Sequence, residues 1–487
     1  MIKMKKFNEI FNIRSLRFGS YSAVLTVIVI AAAIILNAIA GGTQLREKLK
    51  IDLTSSKLYS IGEKTDNVLK ELDKKVEIIG LFDDTQMSSS QYGQVMEFIK
   101  QYRAKSNLIS ISYVDPEKNP GYIQNQLDPD GILGISKSDF IVKSGNRIKV
   151  LSSYDIFEYT YDQQNYSGYY ITGLNAEYAF TGAIRYVTAD NIPVVYYTEG
   201  HSEGDIDSEY TELKSSMELN GYELRKINLT AVETIPEDAA IILTISPKQD
   251  LAANELEKLT VYMKNGGNSI FLFDPVQSNT RLANFESLLS QYNVALGYDV
   301  VFEMAENRAA YGQPYYFMPT VVNNSVNTNL DPSKFNMQLF NVRSVRILKN
   351  EKDWINPVSL LTTSSQALGK PLTEGEEDVQ GPLDLAVAIE HSGNMQISKM
   401  LVVGNANFVS DQSVDTTDSG KKFLLNGINW MQEKKDDIYI PVKTYDVPTI
   451  QTITGQTIVI LGIVLIVVLP LIIIGIGVFV WLRRRHL

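Results

Sequence analysis

Residues 192–204 (IPVVYYTEGHSEG) join a short apolar run to a loop rich in glycine and acidic residues. The run at 192–197 is continuously apolar, which is typical of a strand buried on both faces of a sheet. Similar runs follow at 239–245 (AAIILTI), 269–273 (SIFLF) and 400–404 (MLVVG), with helical patterns between them. This alternation predicts a doubly wound, mostly parallel sheet with helices on both faces.

The chain before this region has a different order of elements. A strand pattern at 75–82 (KVEIIGLF), a helical pattern and a second strand pattern at 108–114 (LISISYV) predict a βαβ unit. Two strand-like runs around residues 144–146 (SGN) predict a hairpin, and an apolar helical stripe follows over 173–187. The order is similar to a thioredoxin-like fold. We therefore predict an α/β protein in which a thioredoxin-like unit precedes the doubly wound domain.

The chain contains two long uncharged apolar segments. Residues 23–40 (AVLTVIVIAAAIILNAIA) and 458–482 are each close to or above the ~20 residues that a helix needs to cross a bilayer. We therefore predict membrane spans at 20–42 and 457–482. The first segment could instead be a signal peptide cleaved after the small residues at 38–40, although its apolar run exceeds the usual length of a signal core.

Charge indicates how such spans would be oriented. The N-terminal tail, residues 1–19, has five basic residues and one acidic residue, and the C-terminal tail, residues 483–487, has three arginines. The positive-inside rule places both tails in the cytoplasm and residues 43–456 outside it, as in a multi-pass membrane protein surrounded by lipid. Because the net charge of the whole chain is −11, the outer region is acidic, which argues against nucleic acid as a partner.

The outer region is long enough for two globular domains and a linker. We place the thioredoxin-like domain at 45–190, the doubly wound domain at 191–435 and a juxtamembrane linker at 436–456. Tyrosines are concentrated at 154–178, near the predicted boundary, and again at 311–317 (YGQPYYF). Exposed rings could stack on a sugar or a partner protein, or the rings could pack between the two units. The sequence leaves both possibilities open.

In a doubly wound sheet, the ligand crevice lies beyond the carboxyl ends of the strands. Three predicted loops fall at that edge, at 198–204, 274–275 and 405–408. The candidate ligand-binding residues in these loops are Glu199, His201, Glu203, Asp274, Asn405 and Asn407.

The acidic loop admits several interpretations, and its ionisable side chains are Glu199, His201, Glu203 and Asp205. They could bind a metal, form an acid–base pair, or favour the positive end of the following helix. With a single histidine in the loop we expect no metal site. The chain also lacks a P-loop, a GxSxG elbow and an HExxH motif, and we place His391 in a loop and His486 in the C-terminal tail. We therefore expect no catalytic residues and no cofactor.

Several motifs, in order, resemble the GldG-like family of auxiliary proteins of ABC transport systems, first associated with gliding motility. The resemblance covers about 45–435. Its main motifs are 52–61 (DLTSSKLYSI), 197–203 (YTEGHSE), 266–267 (GG), 274–275 (DP) and 404–408 (GNANF). The resemblance implies an extracytoplasmic domain related in fold to glutamine amidotransferases. It also implies a non-catalytic auxiliary subunit that docks on an ABC-2-type permease and its ATPase and binds an envelope component.

Two departures from the family pattern bear on the candidate site. The TGHGE loop of many relatives is TEGHSE here, which retains His201 and Glu203 but inserts Glu199. The GDSDF loop is GNANF, so Asn405 and Asn407 replace both acids and make a metal shared between the loops less expected. Amidotransferase activity is excluded because it requires a cysteine nucleophile and the chain has none. The alternative function is a stand-alone membrane-anchored module that binds an envelope glycan or peptide.

Overall fold

The computed structural model describes residues 27–28, 30–31, 57–161, 168–276, 281–310, 312–328, 330, 335–349, 352–393, 396–413, 418–433, 440–445 and 468–485. The chain divides into two compact units, Met1–Ser60 and Ile61–Leu487. In the first unit, residues 57–60 form a turn in which the Ser60 N–H donates to the Lys57 carbonyl over 3.3 Å. The numbered helices and strands below belong to the second unit.

The first part of this unit is built on a four-stranded sheet flanked by helices. The strands are β1 Val76–Gly80, β2 Ile109–Tyr113, β3 Phe140–Ser144 and β4 Arg147–Leu151. The helices are α1 Glu63–Glu71, α2 Asp84–Met87, α3 Gln91–Lys105, α4 Ser153–Ile156 and α5 Ala176–Thr188. The strand order is β2-β1-β3-β4, with β2 parallel and β3 antiparallel to β1. The predicted βαβ unit and the predicted hairpin are both present.

The other strands and α-helices of the described residues follow along the chain. The strands are β5 Phe157–Tyr161, β6 Tyr169–Leu174, β7 Val194–Glu199, β8 Glu223–Asn228, β9 Ala239–Ile245, β10 Asn268–Leu272, β11 Val294–Leu296, β12 Asp299–Phe302, β13 Ala309–Ala310, β14 Gln313–Phe317, β15 Thr320–Val321, β16 Leu339–Phe340, β17 Val345–Ile347, β18 Ile355–Thr362, β19 Leu368–Pro371, β20 Val379–Gln380, β21 Asp384–His391, β22 Ser398–Val403 and β23 Lys443–Thr444. The helices are α6 Thr211–Leu219, α7 Ala253–Lys264, α8 Ala283–Gln291, α9 Ser419–Met431 and α10 Leu469–Arg485.

The largest sheet has eight strands in the order β15-β18-β21-β22-β10-β9-β7-β8. The strands from β22 to β8 are mutually parallel. The apolar runs predict this for β22, β10, β9 and β7. The strands β21, β18 and β15 are antiparallel additions at one side, so the sheet is mixed. Every residue of β22 is buried, because helices and loops cover both faces of the parallel part.

The region between β10 and β22 contains small sheets that the sequence does not predict. They pair β11 with β17, β12 with β19 and β20, and β13 with β14 and β16. The prediction that His391 lies in a loop is wrong, since it is the last residue of β21 and pairs with Ser398. The antiparallel ladder with β22 continues to the polar end of the strand, where the apolar pattern has already ended.

The two predicted spans lie largely outside the described residues. Of 20–42, the structure describes 27–28 and 30–31, which are helical. Of 457–482, it describes the part from 468 onward, of which residues 469–482 belong to α10. Across the part of the chain that the structure describes, no helix is both long and apolar enough to cross a membrane.

Candidate functional site

Four parallel strands of the large sheet end at the candidate site. The loop after β7 carries His201, the loop after β9 carries Ser246, and the loops after β10 and β22 carry Asp274 and Asn405. Hydrogen bonds connect these loops to one another. The structure thus places the loops of His201, Asp274 and Asn405 together at the carboxyl edge of the sheet, where the sequence analysis expects a ligand crevice.

The first group of side chains, which we call the imidazole cluster, consists of His201, Glu203 and Glu255. The Nδ1 atom of His201 lies 3.2 Å from Glu203 Oε1, and its Nε2 atom lies 2.8 Å from Glu255 Oε2. The backbone N–H of His201 also donates to Glu203 Oε2 over 2.6 Å. The three side chains are only 8%, 4% and 1% exposed, so the imidazole is enclosed between two buried carboxylates.

The loop geometry places Glu203 back against its own loop. Gly200 has φ +119°, which disfavours any residue with a Cβ atom, and Ser202 has φ +56°. These two conformations reverse the chain around His201, so a residue two positions later reaches its ring and its backbone N–H. The carbonyl of His201 in turn accepts from the backbone N–H groups of Lys248 and Gln249, which joins the loop to the end of β9.

The charges of the imidazole cluster reinforce one another. The hydrogen bond to Glu203 raises the pKa of His201 to about 9, although burial opposes this. Burial alone would raise the pKa of Glu203 and of Glu255, but hydrogen bonds outweigh it and hold both pKa values below their usual range. At neutral pH the cluster is therefore an imidazolium between two carboxylates. An imidazolium that retains its proton has no free lone pair for a metal or for general-base catalysis.

The second group, which we call the aspartate cluster, consists of Ser246, Lys248, Asp274 and Asn405. The carboxylate of Asp274 accepts from the Ser246 hydroxyl, from the Asn405 amide over 3.3 Å and from the backbone N–H of Ala406 over 2.7 Å. The Nζ atom of Lys248 lies 3.6 Å from Asp274 Oδ2 and donates to Ser246. This cluster ties the ends of β9, β10 and β22 together.

Asn405 is fully buried and uses both ends of its amide. Its Nδ2 atom also donates to the carbonyls of Phe340 and Asn341 over 3.0 and 3.1 Å, and its Oδ1 accepts from the Phe408 N–H over 3.0 Å. An aspartate here could not donate to two carbonyls and would place a negative charge against them. The amide therefore closes the loop after β22 in a way that a carboxylate could not.

The other predicted site residues lie apart from these two clusters. Glu199 is 47% exposed and lies 3.6 Å from Lys226 on the neighbouring strand. The Asn407 amide donates to the hydroxyl of Ser410 within its own turn. Neither residue contributes to the imidazole or the aspartate cluster in the described structure, so the structure separates them from the other four candidates.

The interpretation of the acidic loop as a helix-capping segment is only partly right. The loop precedes α6, but the exposed N–H groups of that helix are capped by Asp411, which lies 200 residues after Thr211 in the sequence. Its carboxylate accepts from the backbone N–H groups of Thr211 and Glu212 over 2.9 and 3.0 Å. A carboxylate at this position also complements the positive end of the helix.

Sequence reasoning missed Glu255, Ser246, Lys248 and Arg343. Glu255 lies in the first turn of α7, where it accepts from the Ala252 N–H over 2.7 Å and from the Thr230 hydroxyl over 2.6 Å. Its position three residues after the N-cap residue Ala252 is the available sequence signal, since glutamate is favoured there. Ser246 and Lys248 belong to a further motif of the family resemblance, 246–248 (SPK), whereas no comparable pattern identifies Arg343.

Arg343 is a fully buried cation beside the aspartate cluster. Its Nε–H donates to the Gly297 carbonyl over 2.7 Å, and its guanidinium lies 4.7 Å from the centre of the Tyr298 ring. Burial lowers its pKa. Gly404 lies against its backbone, where an added Cβ atom would come within 1.9 Å of the Arg343 carbonyl. The close contact explains why the residue that follows β22 is a glycine.

Within the described residues, no group of three or more His, Asp or Glu side chains is arranged to hold a metal ion. The polar atoms of the two clusters instead bond to each other and to backbone groups of neighbouring loops. Such a network fixes the loops at the carboxyl edge in one arrangement. The network therefore stabilises the loops at the carboxyl edge of the sheet.

Fold and site together define an α/β protein with a mixed eight-stranded sheet and a braced carboxyl edge. Residues 193–427 match the model of the family described as "ABC-type uncharacterized transport system". This match confirms the resemblance of the sequence to ABC transport auxiliary proteins. Residues 55–157 match a "Domain of unknown function (DUF7088)". The comparison with curated proteins gives no match.

Three solved structures show distant likeness. The "mmIFT52 N-terminal domain" is 15% identical with a TM-score of 0.39, covering 51% of this chain and 100% of that chain. A structure described as part of a GMP synthase from Thermoplasma acidophilum is 7% identical with a TM-score of 0.27, covering 50% and 96%. The exo-beta-1,4-mannosidase Op5Man5 from Opitutaceae bacterium strain TAV5 is 11% identical with a TM-score of 0.28, covering 78% and 56%. These TM-scores add nothing to the description of the fold.

Proposed function

We propose that this protein is a non-catalytic extracytoplasmic auxiliary subunit of an ABC-2-type transport system, docked on the permease and its ATPase and binding an envelope component. The match over residues 193–427 carries the proposal, because the matched family is described as an ABC-type transport system. The two apolar segments would anchor the protein beside the permease, with both termini in the cytoplasm and residues 43–456 outside.

The chemistry of the carboxyl edge supports a non-catalytic role. His201 holds its proton between Glu203 and Glu255, so it is not poised to accept a proton from a substrate at neutral pH. Ser246 is buried, and its hydroxyl is engaged by Asp274 and Lys248. In this proposal the edge presents a rigid surface to a partner.

The finer description of the fold belongs to the same proposal. A thioredoxin-like domain over 45–190 is supported by the βαβ unit, the hairpin and α5. An amidotransferase-like domain over 191–435 is supported by the five parallel strands from β22 to β8. Neither part would have the cysteine chemistry of its namesake, because the chain contains no cysteine.

The test is affinity purification of the full-length protein in mild detergent, followed by mass spectrometry of the bound proteins. We expect an ABC ATPase and a multi-span permease to remain bound. The same purification is repeated with residues 458–482 replaced by an unrelated apolar span of equal length, which keeps the anchor but removes its specific surface. Loss of both partners would assign docking to this segment. Purification of the wild-type protein without an ATPase or permease would contradict the proposal.

One observation favours the second candidate, a membrane-anchored module that binds an envelope glycan or peptide. Tyr154, Tyr169 and Tyr170 are 79%, 75% and 51% exposed on or beside the β5-β6 hairpin. In the second aromatic group, by contrast, the Tyr316 ring stacks on Phe340 with centroids 4.5 Å apart. The packing explanation thus fits the second group better than the first. Binding of envelope glycan fragments by the full-length protein, weakened by Tyr154→Ser but not by Ile132→Ser, would support this alternative.

A further inference from the structure

The buried carboxylate of Glu177 contacts two stretches that are distant along the chain. Glu177 lies in the first turn of α5, and its side chain is 3% exposed. Its Oε1 atom accepts from the Gly62 N–H over 2.5 Å and from the Thr65 hydroxyl over 2.7 Å. Its Oε2 atom lies 2.7 Å from Nζ of Lys443. One carboxylate thus joins the start of α1 to β23.

Both of these stretches have further contacts with the same set of elements. The Thr65 hydroxyl lies 3.0 Å from the Thr181 hydroxyl on α5. The backbone N–H of Tyr445 donates to the Thr172 carbonyl on β6 over 2.8 Å, and the Tyr445 hydroxyl donates to Gln94 on α3 over 2.8 Å. The α1 start and the β23 stretch are therefore both held against α5 and its neighbours, with Glu177 in contact with each.

The residues that contact Glu177 lie near the two apolar segments in the sequence. Gly62 follows the apolar segment at 20–42, and Lys443 precedes the apolar segment at 457–482. Between those two segments, the described part of the chain begins at residue 57 and ends at residue 445. The Glu177 contacts therefore lie close to both ends of this part.

A shared buried carboxylate makes the two contacts depend on each other. In a site of low dielectric, the charge needs both the cation and the hydrogen-bond donors to offset its desolvation. When one partner is lost, the carboxylate is drawn toward solvent and its remaining bonds weaken. Groups in one such network show coupling that separate contacts do not.

We propose that Glu177 is a coupling clip that links the chain emerging from the first apolar segment to the chain entering the second. A displacement of either stretch changes the other through this carboxylate, so the outer domain responds to the two segments as a pair. The proposal rests on the proposed function in one respect, namely that the two apolar segments lie in the membrane. The clip itself is a property of the isolated chain.

Hydrogen exchange at single-residue resolution on the full-length protein in detergent tests the clip without any transporter partner. Two amides report on its two sides, because the Gly62 N–H donates to Glu177 and the Tyr445 N–H donates to β6. In Lys443→Met we expect both amides to exchange roughly tenfold faster or more, given the strength of hydrogen bonds to charged groups. The matched control, Lys105→Met, removes a 2.9 Å pair with Asp66 on α1 and should leave Tyr445 unchanged.

A second variant changes the contact between Glu177 and the start of α1. Thr65→Val removes one donor to Glu177, and we expect faster exchange at Tyr445 as well as at Gly62. The amides of β9 should remain protected in all variants, which separates loss of the clip from global unfolding. Acceleration confined to the mutated side would overturn the proposal, as would equal acceleration in β9. If exchange is not coupled but the protein still purifies with an ABC ATPase and permease, only this inference fails. If exchange is coupled but the protein purifies without them, only the proposed function fails.

Discussion

At the scale of single residues, burial and hydrogen bonding decide what each candidate group can do. His201 is enclosed by two carboxylates, and Asn405 donates to two carbonyls and accepts one N–H. Both therefore act on the structure of the carboxyl edge, whereas a ligand would need polar atoms that remain available. Substitution of either residue should change the stability of the protein.

The imidazole cluster makes stability depend on pH. Because folding raises the pKa of His201 from about 6.5 to about 9, its stabilising effect is complete below the unfolded value and is lost as the pH rises through 9. Glu203 and Glu255 have lowered pKa values, so their effect is lost as the pH falls below about 4.5. We expect His201→Gln to lower the free energy of unfolding by about 3 kcal/mol at pH 7, measured by denaturant titration. The variant should also show a smaller fall in stability at alkaline pH.

The matched control for this measurement is His391→Gln. Burial lowers the pKa of His391, and this residue lies at the end of β21, outside the imidazole cluster. The control should retain the alkaline loss of stability. An NMR titration of His201 that gave a pKa near 6.5 would contradict the assignment of its charge.

Asn405 allows a test of the departure from the family loop. In Asn405→Asp a carboxylate faces the carbonyls of Phe340 and Asn341, so we expect a loss of about 2 kcal/mol or more in the free energy of unfolding at pH 7. The loss should shrink at acidic pH, where the new carboxyl is protonated and can donate to one carbonyl. Asn407→Asp should change stability by less than about 0.5 kcal/mol. The Asn407 amide contacts only a nearby hydroxyl among the described residues.

At the scale of elements, long-range caps fix the helices around the large sheet. Asp411 caps α6 from 200 residues away in the sequence, and its carboxylate also accepts from the Thr211 hydroxyl. We expect Asp411→Ala to destabilise the protein by about 1 kcal/mol, measured by denaturant unfolding. Asp411→Asn retains an acceptor and should lose much less. Equal losses in the two variants would show that the charge, and not the cap, provides the stabilisation.

The distance between partners also explains which elements the sequence could predict. The strands β7, β9, β10 and β22 have mostly apolar patterns, so their carboxyl ends and the loops of His201, Asp274 and Asn405 could be assigned to one edge. Glu255 lies 54 residues from His201, and no local pattern predicts that contact. The strands β13, β15 and β16 have two residues each, too few to show any period. They form because neighbouring strands supply their hydrogen bonds.

At the scale of the whole molecule, the distribution of charge and apolar segments makes a prediction about orientation. Lys137 is 57% exposed in the loop before β3, and the proposed topology places it outside the cytoplasm. Lys5 lies in the basic N-terminal tail and Arg484 in the basic C-terminal tail, both of which should be inside. The absence of cysteine makes the chain a suitable background for single-cysteine labelling.

We expect a membrane-impermeant maleimide to label Lys137→Cys in intact cells from which any outer barrier has been removed. Lys5→Cys and Arg484→Cys should be labelled only after the cells are opened, because the positive-inside rule retains basic tails in the cytoplasm. The parent chain without cysteine provides the background signal. Labelling of all three positions in intact cells would rule out the proposed topology, and labelling of Lys5→Cys alone among the tails would show that the first segment does not cross with its N-terminus inside. A mature protein that lacks Lys5→Cys altogether would identify the first segment as a cleaved signal peptide.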